Sequence, residues 1–127
     1  MIKVLILLCM IFCHIVDDYY LQGWLASAKQ REWWGKNAPN PLYKYDYLVA
    51  LFMHSFSWAF VMMLPIMIIY YLSANNYILY LILFPINIMI HAITDHTKAN
   101  LKKINLVQDQ SIHIIQIILT WIICIII

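Results

Sequence analysis

Four histidines and three aspartates fall inside or beside the most apolar stretches of this 127-residue chain: His14, Asp18, His54, His91, Asp95, Asp109 and His113. A charged group at the centre of a membrane helix costs about 2.5–3.5 kcal/mol on insertion scales, so such residues face a bundle interior or mark function. Their spacing groups them. His14, Asp18 and Gln22 recur every four residues; His91, Asp95 and Lys98 follow at four and three; Asp109 and His113 are four apart. Each set therefore lies on one face of a helix. Imidazoles and carboxylates on one face are ligands for a divalent metal: zinc first, with manganese, iron or magnesium depending on geometry. Seven candidates exceed the three protein ligands of one catalytic zinc. They suit two ions, or one ion with a full set of supporting residues. Helix bundles with carboxylate and histidine pairs are a frame for dinuclear sites, but those pairs are spaced by three rather than four, so the analogy is loose.

The elements that must carry these residues are membrane spans. The chain is 65% hydrophobic and only 11% charged, with a mean hydropathy of +0.78. Those values exclude a disordered chain, a basic nucleic-acid-binding domain and an ordinary soluble enzyme. Two glycines and four prolines leave no room for a flexible linker, so residues 1–127 read as one domain. Apolar runs predict four spans, about 2–22, 47–72, 77–98 and 106–127, near or above the ~20 residues needed to cross hydrocarbon. Backbone groups in lipid must bond internally, so the fold class is all-α: a bundle of four transmembrane helices. Pro65 and Pro85 lie mid-span and are expected to kink their helices. Ser73–Asn76 reads as a short turn. Gly23 to Lys44, with Trp24, Trp33 and Trp34 among Lys29, Arg31, Glu32 and Lys36, reads as an interfacial amphipathic segment followed by an irregular loop. The tryptophans would anchor it at the interface or form a lid over the site.

Basic residues set the topology. Lys29, Arg31, Lys36 and Lys44 fall between spans one and two, and Lys98, Lys102 and Lys103 between spans three and four. These connections share a side, which the positive-inside rule makes cytoplasmic. Both termini then face away from the cytoplasm across a plasma or inner membrane, with Tyr70, Tyr71, Tyr77 and Tyr80 as the outer aromatic belt. Depth follows. His54 and His113 lie roughly 10 Å below the cytoplasmic boundary, at 1.5 Å per helical residue, and His14 and His91 reach the same level from the other direction. Four helices thus deliver an imidazole to one plane, and three of them add a carboxylate.

Other residues receive plainer readings. Cys9, Cys13 and Cys124 read as buried small hydrophobes, since no second cysteine pair exists for a thiolate zinc site. Lys3 followed by an apolar run resembles a signal peptide, with Ala26-Ser27-Ala28 as a small-residue cleavage pattern; the segment is read as retained and as the first span. Asp17 reads as an interfacial bystander, His96 as peripheral, and Gln116 as an interhelical contact. Gln22 and Gln110 would orient ligands or a water.

The ordered set His14-x-x-x-Asp18-Tyr-x-x-Gln22, His54, His91-x-x-x-Asp95-x-x-Lys98 and Asp109-Gln110-x-x-His113 resembles a small integral-membrane family of bacteria and bacteriophages, known as a domain of unknown function. The resemblance runs over nearly the whole chain. It implies a membrane protein, phage-encoded in some members, and supplies no substrate. Asp17 beside Asp18 gives two acids where the family pattern has one.

These residues together suggest an intramembrane metal-dependent hydrolase working at the cytoplasmic leaflet on an amphiphilic lipid or lipid phosphate. His14, Asp18, His91, Asp95 and His113 would bind metal directly, with Asp109 and His54 as ligands or support. Lys98, Asp109 and Gln110 would act on the substrate, and Lys98 would neutralise a phosphate or pair with Asp95. Membrane lipid is the expected partner, and nucleic acid is not one. Rival readings are a proton or divalent-ion transporter, a non-catalytic phage protein that binds a host membrane protein or its own copies, and a polar network that only holds the bundle together. The outer half of the bundle reads as almost dry, with Asn87, Thr120 and Ser57 as scattered polar groups, which disfavours a conduit.

Overall fold

A computed structural model describes residues 1–72 and 77–126, with the side chains of 70–72 excepted. The expected Ser73–Asn76 turn and the Tyr70 and Tyr71 side chains lie outside the described residues. Within them, every regular element is helical. Helix α1 covers Ile2–Val16 and continues as a π-helical turn, Asp17–Leu21. Two short helices follow, α2 (Leu25–Ala28) and α3 (Arg31–Asn37), then a 3-10 turn at Pro41–Tyr43. Three long helices complete the chain: α4 (Asp46–Leu72), α5 (Tyr77–Ala99) and α6 (Leu106–Ile126). Four of these stretches are long and apolar enough to cross a membrane. The stretch read as amphipathic and irregular is thus more ordered than expected. α4 and α5 continue through Pro65 and Pro85.

Between 22% and 39% of the residues in the most apolar 18-residue stretch of each span are buried within the protein, so most of each helix lies outside the core. Leu5, Leu8, Phe12, Phe52, Phe60, Leu81, Ile86, Ile115 and Leu119 make up that outer surface. Cys9 belongs to it as well. It is exposed rather than buried, because one residue step turns it about 100° around α1 from the buried Met10, while Cys13 and Cys124 are half-buried. The apolar core is small: Met10 from α1, Trp58, Ala59, Met62, Met63 and Ile66 from α4, Leu83 and Ile88 from α5, and Ile117 from α6.

Next to this core lies a polar layer. Gln116 Nε2 donates to the Asn87 backbone carbonyl (2.9 Å) and to Asn87 Oδ1 (2.8 Å), which also accepts from Thr120 Oγ1 (3.1 Å). The interhelical role expected of Gln116 is therefore what the structure has. Asn87 and Thr120, read as scattered, belong to this one network, and Ser57 serves a different one. Asn87→Leu is expected to lower bundle stability by about 1–2 kcal/mol, because it strands two α6 donors in an apolar layer. Denaturant unfolding in detergent micelles checks this, and an unchanged midpoint would mean that α5 and α6 associate by packing alone.

The start of α6 is fixed by a reciprocal cap. Asn105 Oδ1 accepts from Gln108 N (2.9 Å), and Gln108 Oε1 accepts from Asn105 N (3.0 Å). Because the cap sets the first residue of α6, it also sets the rotation at which Asp109 and His113 enter the bundle.

Candidate metal centre

Each of the seven residues singled out by type and spacing is buried: His14, Asp18, His54, His91, Asp95, Asp109 and His113. α1 and its π turn bring His14 and Asp18, α4 brings His54, α5 brings His91 and Asp95, and α6 brings Asp109 and His113. Their polar atoms converge. His54 Nε2 lies 3.1 Å from His91 Nε2, 3.4 Å from Asp18 Oδ1 and 3.3 Å from Asp95 Oδ2. His113 Nε2 lies 3.4 Å from Asp95 Oδ1 and 3.5 Å from Asp109 Oδ1. Two groups of three could hold a metal ion, Asp18 with His54 and His91, and His91 with Asp95 and His113; within each the ligand atoms lie within 4.8 Å of one another. His113 Nε2 and Asp109 Oδ1 are buried with no hydrogen-bond partner. Buried polar atoms without partners are costly, and a cation between facing lone pairs removes that cost.

His14 stands one layer behind. Its Nδ1 accepts from the Trp58 indole Nε1–H (2.7 Å), and its Nε2 faces Gln110 Oε1 at 3.1 Å. With Nδ1 accepting, Nε2 carries the proton and donates. Both ring nitrogens are engaged, and His14 is in neither group of three. Gln110 then passes the order on: its Nε2 donates to Asp18 Oδ2 (2.8 Å) and reaches Asp109 Oδ2 (3.1 Å). This leaves Asp18 Oδ1 facing His54. Gln110 thus orients a candidate ligand, as expected of it, and Gln22 donates to the Asp18 backbone carbonyl of its own helix.

Asp17 is not at an interface. It is fully buried and accepts from Ser57 Oγ at 2.7 Å. The reason is the π turn, in which Gln22 N bonds to Asp17 O five residues back (3.1 Å). The wider turn points two consecutive carboxylates inward, Asp17 towards α4 and Asp18 towards the cluster. Such π turns are frequent at functional sites. His96 is peripheral as expected, half-buried and stacked on Tyr47 with 6.2 Å between ring centres.

Of two further residues at the centre, the sequence reading placed one elsewhere and passed over the other. Lys29, taken as a topology signal, is buried, and its Nζ lies 2.5 Å from Asp95 Oδ2. It therefore holds the position considered for Lys98. Lys98 instead pairs with Asp109 Oδ2 at 2.6 Å, its side chain 33% exposed. The signal for Lys29 is the preceding Leu25-Ala26-Ser27-Ala28, whose small residues let α2 press against α4 with Ala28 fully buried. The second residue is Trp58. Besides its bond to His14, its ring stacks on His91 with centres 4.1 Å apart and 17° between planes. It falls one turn after His54, so the four-residue rule that picked out the histidines would have reached it.

No family model matches the chain, and neither does any curated protein or solved structure.

The tryptophans of the interfacial segment pack on one another edge to face: Trp24 with Trp33 (5.8 Å) and Trp34 (6.0 Å), and Trp33 with Trp34 (5.1 Å). Trp34 Nε1 donates to the Ala28 carbonyl at 2.7 Å, which ties α3 to the end of α2 where Lys29 begins. The cluster braces the segment that delivers Lys29.

The Trp58 bond offers a test of the supporting layer. Trp58→Phe keeps a ring against His91 and deletes the donor to His14. Metal affinity is expected to fall about 10–100-fold, the usual effect of losing a residue that orients a ligand. Zinc titration against a competing chelator checks it, and unchanged affinity would show that the Trp58–His14–Gln110–Asp18 chain does not hold the ligands.

Proposed function

We propose that the protein is an intramembrane metal-dependent hydrolase that acts on an amphiphilic lipid or lipid phosphate. The observation that carries the reading is the convergence of His54, His91 and His113 nitrogens with Asp18, Asp95 and Asp109 oxygens from four helices. Three imidazoles favour zinc, manganese or iron over magnesium, which takes oxygen ligands. A bound divalent ion would supply Lewis acidity and a water of lowered pKa. The chain's own residues would do the rest. Lys98, part-exposed beside Asp109, would bind the phosphate oxygens and offset charge that develops on them. Asp109, released from Lys98 as substrate arrives, would accept a proton. Gln110 would keep Asp18 turned towards His54.

By the positive-inside rule the basic connections put this chemistry at the cytoplasmic leaflet of a plasma or inner membrane, with both termini on the far side. The motif order that resembles the bacterial and phage membrane family supports the membrane location and says nothing of the leaflet. The direct test is phosphate release from a polyprenyl phosphate and from phosphatidic acid in mixed micelles. A chelator is expected to abolish release, and added zinc or manganese to restore it. Release that ignores the chelator would remove the proposal.

One observation favours a second reading, ion conduction. The Asn87–Gln116–Thr120 network extends the buried polar groups beyond the cluster along α5 and α6. Proton or zinc flux into proteoliposomes that depends on His91 would support it.

A further inference from the structure

Resting on the metal-centre reading above, we infer that the centre is built for one divalent ion, and that the Lys29 ammonium occupies the place a second ion would take. The residue count alone suited one ion or two. Three features of the site decide between them.

The first is His91. The two groups of three share it, and its Nε2 is the atom that faces His54 Nε2 (3.1 Å) and Asp95 Oδ2 (3.8 Å). One imidazole nitrogen has one lone pair in the ring plane and so serves one metal, which leaves Asp18, His54 and Asp95 Oδ2, where Lys29 Nζ lies, as the ligands of any second ion.

The second is how Asp95 is divided. Its Oδ2 faces His54 and already carries Lys29 Nζ at 2.5 Å, while its Oδ1 faces His113 at 3.4 Å. The ammonium thus lies on the side of Asp18 and His54. The other side holds His113 Nε2 and Asp109 Oδ1, which make no hydrogen bond, so the ion belongs between them and His91, with Asp95 Oδ1.

The third is charge. Within the cluster, Asp18, Asp95 and Asp109 stand against the ammoniums of Lys29, paired with Asp95, and Lys98, paired with Asp109, which leaves one negative charge. One divalent ion brings the cluster to a single positive charge. A second would bring it to three, which a low-dielectric interior opposes.

Lys29 is also held for the task. Asn100, at the end of α5, donates from Nδ2 to the Lys29 carbonyl (3.0 Å) and accepts from Arg31 N at Oδ1 (2.7 Å). This clasp on both sides of Gln30 fixes the backbone from which Lys29 enters the bundle.

The test is zinc stoichiometry by elemental mass spectrometry on detergent-purified protein, after incubation with excess zinc and desalting. Wild type is expected to hold one equivalent. Lys29→Met and Lys29→Gln are expected to hold two, since both remove the charge, and the glutamine keeps a hydrogen-bond donor for Asp95 should the methionine variant fail to fold. Lys29→Arg is expected to return to one. Two equivalents in wild type would overturn this inference and leave the metal-centre reading intact. One equivalent in a folded Lys29→Met or Lys29→Gln protein would overturn it as well. No zinc in wild type would overturn both.

Discussion

Asp95→Ala is expected to abolish metal binding, to reduce lipid-phosphate turnover to background, and to destabilise the bundle by about 3–5 kcal/mol, the cost of stranding a buried charge. All three effects come from the two oxygens of one carboxylate. Oδ1 faces His113 and Oδ2 faces His54, so removing them takes a ligand from the centre. Oδ2 is also the counter-ion of buried Lys29, which is left without its partner. The second variant separates structure from function. In Asp95→Ala/Lys29→Met no unpaired ammonium remains, so most of the lost stability is expected to return while metal binding stays absent. Denaturant unfolding and metal content, measured on both variants, check this. If the double variant recovered metal as well, Asp95 would be a structural counter-ion and not a ligand.

Lys98→Ala is expected to act differently. Lys98 is the part-exposed cation at the cluster, and its only ion pair among the described residues is with Asp109. Its loss should leave metal content unchanged, since Asp109 keeps its neighbour His113. Turnover of a phosphate-bearing lipid is expected to fall about 10²–10³-fold, the scale of losing one group that stabilises developing charge. The loss should appear chiefly in kcat, because the charge it offsets grows in the transition state. A change confined to KM would make Lys98 a headgroup-docking residue, and no change would return it to the role of a snorkelling surface lysine.

The four spans were legible because hydrocarbon thickness and backbone satisfaction leave few options for apolar runs of this length. The centre was legible because charged residues are rare in such runs, and the four-residue recurrence of His14 and Asp18, His91 and Asp95, and Asp109 and His113 puts each pair on one face. Periodicity assumes regular helix, however, and α1 is not regular throughout. The π turn at Asp17 shifts the phase and buries an acid that α-helical counting placed at an interface. Lys29 was hidden for a different reason. Its position depends on a four-residue helix folding back against α4 and on the Asn100 clasp, whose bonds join residues 71 and 69 apart in sequence. Charge sign alone marks a topology signal and a buried counter-ion in the same way. Spacing also cannot tell a ligand from the residue that orients it. His14 fits the recurrence as well as His91, and only the bonds to Trp58 and Gln110 place it in the supporting layer.

Metal content is the most direct measurement of the central claim. Wild type and His91→Ala, purified in detergent without chelator and resupplied with zinc or manganese, would be compared by elemental mass spectrometry. His91 is the residue common to both groups of three, and its removal leaves the ion pairs of Lys29 with Asp95 and Lys98 with Asp109 in place. About one equivalent of transition metal in wild type, absent from a folded His91→Ala protein, is the expected result. A metal-free wild type under these conditions, or a variant that retains the ion, would contradict the account.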